Sequence, residues 1–115
     1  MATATLHIAD LGGYAGPARC YRLDPVPVIN GAPAPFVTIW VQRGYAHQMP
    51  EVNVVPATSS GACATRSVMA APGSFTLHFD PVTDEQIDGA HWLALQALGG
   101  YTVSGQRPTE PGGPR

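Results

Sequence analysis

The stretch FVTIWVQ (Phe36–Gln42) decides the fold class. Side chains of an extended chain alternate between two sides, so Val37, Ile39 and Val41 point one way and Phe36, Thr38 and Trp40 the other. β-Branched and aromatic residues of this kind pack well on a pleated surface. Both sides are mainly apolar and neither is built to face water. The stretch therefore reads as a central strand with each face at least partly covered.

Upstream, Thr3 to Ile8 alternates, with Leu6 and Ile8 on one side and Thr5 and His7 on the other. This is a short strand, and residues 1–19 form an N-terminal extension with a possible edge strand. Gly12-Gly13 and Gly16-Pro17 break the chain after it, so residues 10–17 read as a loop. Cys20 to Leu23 is extended again and stops at Asp24-Pro25. Tyr21 and Leu23 belong to the core side, while Cys20, Arg22 and Asp24 share the other. Arg22 would favour a thiolate at Cys20 and Asp24 would oppose it. The expectation is an ordinary polar strand face, with Arg22 paired to Asp24 and the thiol near its reference value of about 8.5.

Downstream, Asn30-Gly31 is a strong signal for a two-residue hairpin. Pro25, Pro27, Pro33 and Pro35 cannot donate to a ladder, so the segment is a ragged edge hairpin or a polyproline-like excursion. EVNVV (Glu51–Val55) is a further strand ended by Pro56. TRSVMA (65–70) is a weak strand. GSFTLHFD (Gly73–Asp80) turns Phe75, Leu77 and Phe79 inward. One helix is expected, from Thr83 to Leu98. Thr83 with Gln86 three residues on forms a capping box, Asp84 and Glu85 sit in the first turn, and Ile87, Ala90, Ala94 and Leu98 recur at helical spacing. Gly99 and Gly100 end it, and YTV (Tyr101–Val103) returns as a strand.

The architecture is thus α+β: a small, mainly antiparallel β-sheet with one C-terminal helix packed on a face. Residues 1–104 form a single domain, and the Pro/Gly-rich tail 105–115 has little to bury and should be flexible. At 115 residues the chain holds one domain, which buries roughly two-thirds of its unfolded surface.

Only 12% of the residues are charged and the net charge is −2. No basic stripe exists to neutralise a row of phosphates, which argues against nucleic-acid binding. The six basic residues are all arginine and alanine occurs sixteen times, a composition that fits a GC-rich genome. Sparse charge leaves much neutral surface, suited to a protein partner or to self-association. The N-terminus has no basic n-region, and its apolar runs are too short for a signal or a span. The expectation is a cytoplasmic protein with no membrane association, a place in a virion remaining possible. Two cysteines, Cys20 and Cys63, make no disulfide framework and read as thiols.

No phosphate loop, Cys-x-x-Cys pair, metalloprotease helix or nucleophile elbow is present. Cofactors and metals are therefore not expected. His78 and Asp80 share a strand face, and His91 on the helix would complete a metal set. Cys63 with His78 as base would make a nucleophile. Local structural roles outweigh both ideas, because turns and strands commonly hold such residues and lone cysteines are commonly buried.

YRLDP (Tyr21–Pro25) carries a further signal, together with the strand Phe36–Val41, PEVNVVPA (Pro50–Ala57), Gly73-Ser74 and ALGGYTV (Ala97–Val103). This order resembles a group of small uncharacterised actinobacterial and actinobacteriophage proteins that open on Tyr-Arg-Leu-Asp-Pro. The resemblance spans roughly residues 21–103 and implies a phage origin, with no catalytic residues to carry over. The expectation is a non-catalytic accessory protein, phage-encoded, acting by protein–protein binding, with Trp40 and Trp92 as the anchoring aromatics. The alternative is a minor virion component, a decoration or tail-associated subunit. A small enzyme using Cys63 or the His78, Asp80, His91 group comes third.

Overall fold

A computed structural model of the chain describes residues 2–14, 16–29, 31–42, 49–64, 75–77 and 83–104. Its elements are β1 (Thr3–Leu11), β2 (Ala18–Asp24), β3 (Val28–Ile29), β4 (Ala32–Pro33), β5 (Phe36–Gln42), β6 (Glu51–Ala57), β7 (Phe75–Thr76), α1 (Asp84–Gly99) and β8 (Thr102–Ser104). The fold is α+β. Six strands form one sheet in the order β7-β6-β5-β2-β1-β8, and β3 and β4 form a separate two-stranded hairpin. All neighbours in the large sheet are antiparallel except β1 and β8, which run parallel.

β5 is an interior strand, paired on both sides by β2 and β6. Both of its faces are covered, as its composition requires. Val37, Ile39 and Val41 join Tyr21, Leu23, Val52 and Val54 in the main core beneath α1. Trp40 joins Ala18 and Val55 in a smaller cluster on the opposite face. Leu77 belongs to the main core together with Ile87, Ala90, Ala94 and Leu95 of the helix, and Leu98 packs at its margin. The inward pointing of Phe75 and Phe79, the strand at 65–70 and the tail 105–115 lie outside what the structure describes.

The helix forms where its caps dictate. The Gln86 amide donates to Thr83 Oγ1 (3.1 Å) and the Thr83 amide donates to Gln86 Oε1 (3.2 Å), so two otherwise orphaned donors are satisfied reciprocally. At the other end Gly100 takes the left-handed conformation (φ 70°) and its amide donates to Gln96. Because α1 lies between β7 at one edge of the sheet and β8 at the other, the chain returns alongside β1. Tyr101 fixes that return, its hydroxyl donating to the Pro25 carbonyl at 2.6 Å.

Three local expectations need correction. β1 is covered on its outer side by β8 along Thr3–Thr5, so among the described residues it is an edge strand only beyond Thr5. Register shifts between Leu6 and Ile8 and between Ile8 and Leu11 break its alternation, so Leu6 stands opposite Tyr21 and Ile8 opposite Cys20, on different faces. β6 runs through Pro56 to Ala57. The Pro56 carbonyl accepts from the Ala64 amide. A strand residue's N–H and C=O point to the same side, so the missing N–H faces away from β5 and costs the ladder nothing. The Asn30-Gly31 hairpin does form, pairing Val28 with Pro33 and Ile29 with Ala32.

Candidate functional site

The face of the sheet turned away from α1 carries a cleft of about 510 Å³. Leu11 at the end of β1, Gly12 to Tyr14 after it, Trp40 on β5 and Ser60 to Cys63 line it. Its construction centres on one carbonyl. Gly61 O accepts from the Tyr14 hydroxyl (2.7 Å) and from the Thr38 hydroxyl (2.8 Å), pinning the loop after β6 onto the sheet. Gly61 has φ +85°, and a Cβ there would run into the Leu11 side chain, so only glycine fits without strain. Cys63 bridges back to Ala57.

Tyr14 and Trp40 stack in a tilted arrangement with ring centroids 4.9 Å apart. Trp40 is only 7% exposed, and its indole N–H is buried without a partner among the described residues. Burial raises the Tyr14 pKa, which keeps the hydroxyl a donor. The described lining presents aromatic and aliphatic surface, an amide at Gln42, hydroxyls and a thiol, with no carboxylate, imidazole or guanidinium. Such a surface can hold an apolar side chain and orient it by hydrogen bonds.

A second polar constellation lies on the helix side of the sheet. Arg19 points toward α1 and pairs with Asp88 at 2.8 Å, both side chains being nearly buried. Beside them the Tyr21 hydroxyl meets His91 Nδ1 at 3.2 Å, both residues being fully buried. With the hydroxyl donating, the neutral ring carries its proton on Nε2. Desolvation, helped by the nearby Arg19 charge, holds the His91 pKa well below 6.5. Burial likewise pushes the Tyr21 phenol up. Arg19 Nη1 and His91 Nε2 find no partner among the described residues.

These placements sort the residues singled out in the sequence. Trp40 lines the cleft, whereas Trp92 is half-buried on α1, across the sheet, so the two tryptophans do not share one surface. Cys63 lies at the cleft and His91 beneath the helix, so these two cannot act together; His78 and Asp80 lie outside the described residues. No group of three or more potential metal ligands gathers among the described residues. Cys20 and Cys63 are thiols. Cys20 is fully buried rather than part of an open row, and burial raises its pKa above the expected reference value, with the Thr38 hydroxyl working the other way. Arg22 and Asp24 are exposed and no ion pair joins them. Sequence reasoning missed Tyr14, Gly61 and the Arg19–Asp88 pair. One signal for the pair was present: Asp88 and His91 are three apart, on the same helical face as the apolar stripe.

No helix among the described residues is long and apolar enough to cross a membrane. No family model, no curated protein and no solved structure matches the chain.

Proposed function

We propose that this is a small non-catalytic accessory protein, phage-encoded, that works by binding another protein through the Tyr14–Trp40 cleft. The observation that carries the reading is the cleft itself. Two stacked aromatics, of which Tyr14 is held by its hydrogen bond to the Gly61 carbonyl, form a preorganised apolar receptor whose described lining lacks an acid–base pair. Preorganised aromatic surface is what anchors protein contacts, because little side-chain freedom remains to be lost on binding. Trp40 is the cleft's floor, whereas Trp92 lies on the helix across the sheet and takes no part in the proposed binding surface. The lysine-free composition and the Tyr-Arg-Leu-Asp-Pro resemblance support the phage origin.

A subunit attached to a symmetric virion lattice can use an N-terminal arm to add a strand to a neighbour. In this fold residues 3–11 are committed to the chain's own sheet, which favours the accessory role. Affinity capture from host lysate tests the reading, run with the wild type and with Gln42→Arg, which places charge at the cleft rim. One partner retained by the wild type and lost by the variant is expected. Stoichiometric recovery of the protein in purified particles, with no host partner, would overturn it in favour of a structural subunit.

A further inference from the structure

We propose that the Arg22–Asp24 end of the open sheet face is a self-complementary surface through which two copies of this chain associate about a twofold axis. β2 turns Tyr21 and Leu23 into the core and leaves Arg22 and Asp24 exposed on the other side. Their cross-strand neighbours on β1 are Thr5 and Thr3, respectively. Together with Val26 and Pro35 these residues line a cleft of about 470 Å³.

The charges are on one face, about 7 Å apart along the strand, yet they form no ion pair with each other. Arg19, the other described arginine, is committed to Asp88. An exposed cation and anion held apart on one rigid strand make a patch that contains its own complement. When a second copy docks antiparallel across a twofold axis, Arg22 of each faces Asp24 of the other, and both charge-assisted contacts form at once. The threonine hydroxyls stand ready to hydrogen-bond the same groups.

Apolar surface adjoins the charges. Val26, which lines the same cleft, is 48% exposed, one of the four large hydrophobic side chains left open among the described residues. Charge repulsion between copies is small, since the net charge is only −2. The patch lies at the Thr3 end of β1 and the aromatic cleft at the Leu11 end, so association leaves both clefts open and doubles their number.

Sedimentation velocity over a concentration series tests this. The wild type is expected to shift from monomer to dimer as concentration rises. Arg22→Asp and Asp24→Arg should each stay monomeric, because each sets like charges opposite one another twice, and both changes are at exposed positions. An equimolar mixture of the two variants should then dimerise, every contact again pairing opposite charges. A wild type that stays monomeric up to about 1 mM overturns the proposal, whether or not either variant folds. So does a dimer that persists in both single variants, or a mixture of folded variants that stays monomeric.

Discussion

The two faces of the sheet start from the same strand, β5, and end as different objects. Beneath α1, the odd-numbered residues Val37, Ile39 and Val41 meet helical side chains in a sealed core that also encloses Arg19, Asp88, Tyr21 and His91. On the opposite face, Thr38 and Trp40 meet a loop hung on the Gly61 carbonyl, and a cleft remains beside them. The same alternation of apolar side chains serves both. What differs is the cover: a capped helix of 16 residues in one case, a short loop tied by two hydroxyls in the other. Polar groups on the sealed side lie away from water, Arg19 against Asp88 and Tyr21 against His91, while those on the open side face a space that another molecule can enter.

Substitutions on the sealed side should have the largest effect. Asp88→Ala leaves the Arg19 guanidinium buried without its carboxylate and should cost about 3–5 kcal/mol. Denaturant unfolding measures it, and a loss near zero would mean that the pair is solvated and the side is not sealed. On the open side, Gly61→Ala forces a left-handed backbone on alanine and pushes its Cβ against Leu11. It should cost about 1–3 kcal/mol, with near-ultraviolet dichroism of the Tyr14–Trp40 pair altered and far-ultraviolet dichroism kept.

A smaller difference separates the faces on acidification. His91 has a folded pKa well below its unfolded value near 6.5. The unfolded chain therefore takes up a proton as pH falls through that value while the folded one does not. Stability is complete above this range and declines below it, by at most about 1.4 kcal/mol per pH unit for this one group. His91→Gln, which keeps a hydrogen-bonding partner for Tyr21 and has no titrating ring, should flatten the decline between pH 6.5 and the folded pKa. An unchanged slope would place the ring in water. Least affected should be Tyr14→Phe, which removes one of the two donors to Gly61 O and should cost about 1 kcal/mol.

The sheet and helix were legible because their signals are local. The alternation of Phe36–Gln42 and the Thr83/Gln86 capping box each lie within a few residues and are not overridden by packing. The shifts in β1 were not legible. A bulge breaks the alternation without changing a residue, and it is set by how β1 must lie against β2. Pro56 reads as a stop because sequence alone does not show which side of a strand its nitrogen faces. The cleft was hardest. Tyr14 and Gly61 are 47 residues apart, in two segments that read only as loops, and nothing local to either says that one hydroxyl reaches the other's carbonyl. Of its lining, only Trp40 and Cys63 drew attention as residues, and neither by its sequence context revealed the other.

The claim that the open face binds and the sealed face only supports is tested most directly by photo-crosslinking from both sides. A photoreactive residue replaces Ala62, exposed at the mouth of the cleft, or Leu93, exposed on α1. Irradiation in host lysate should give a single discrete adduct from position 62, lost when Gln42→Arg is added, and none of that mass from position 93. The same adduct from both positions, or an adduct from position 93 alone, would contradict the account.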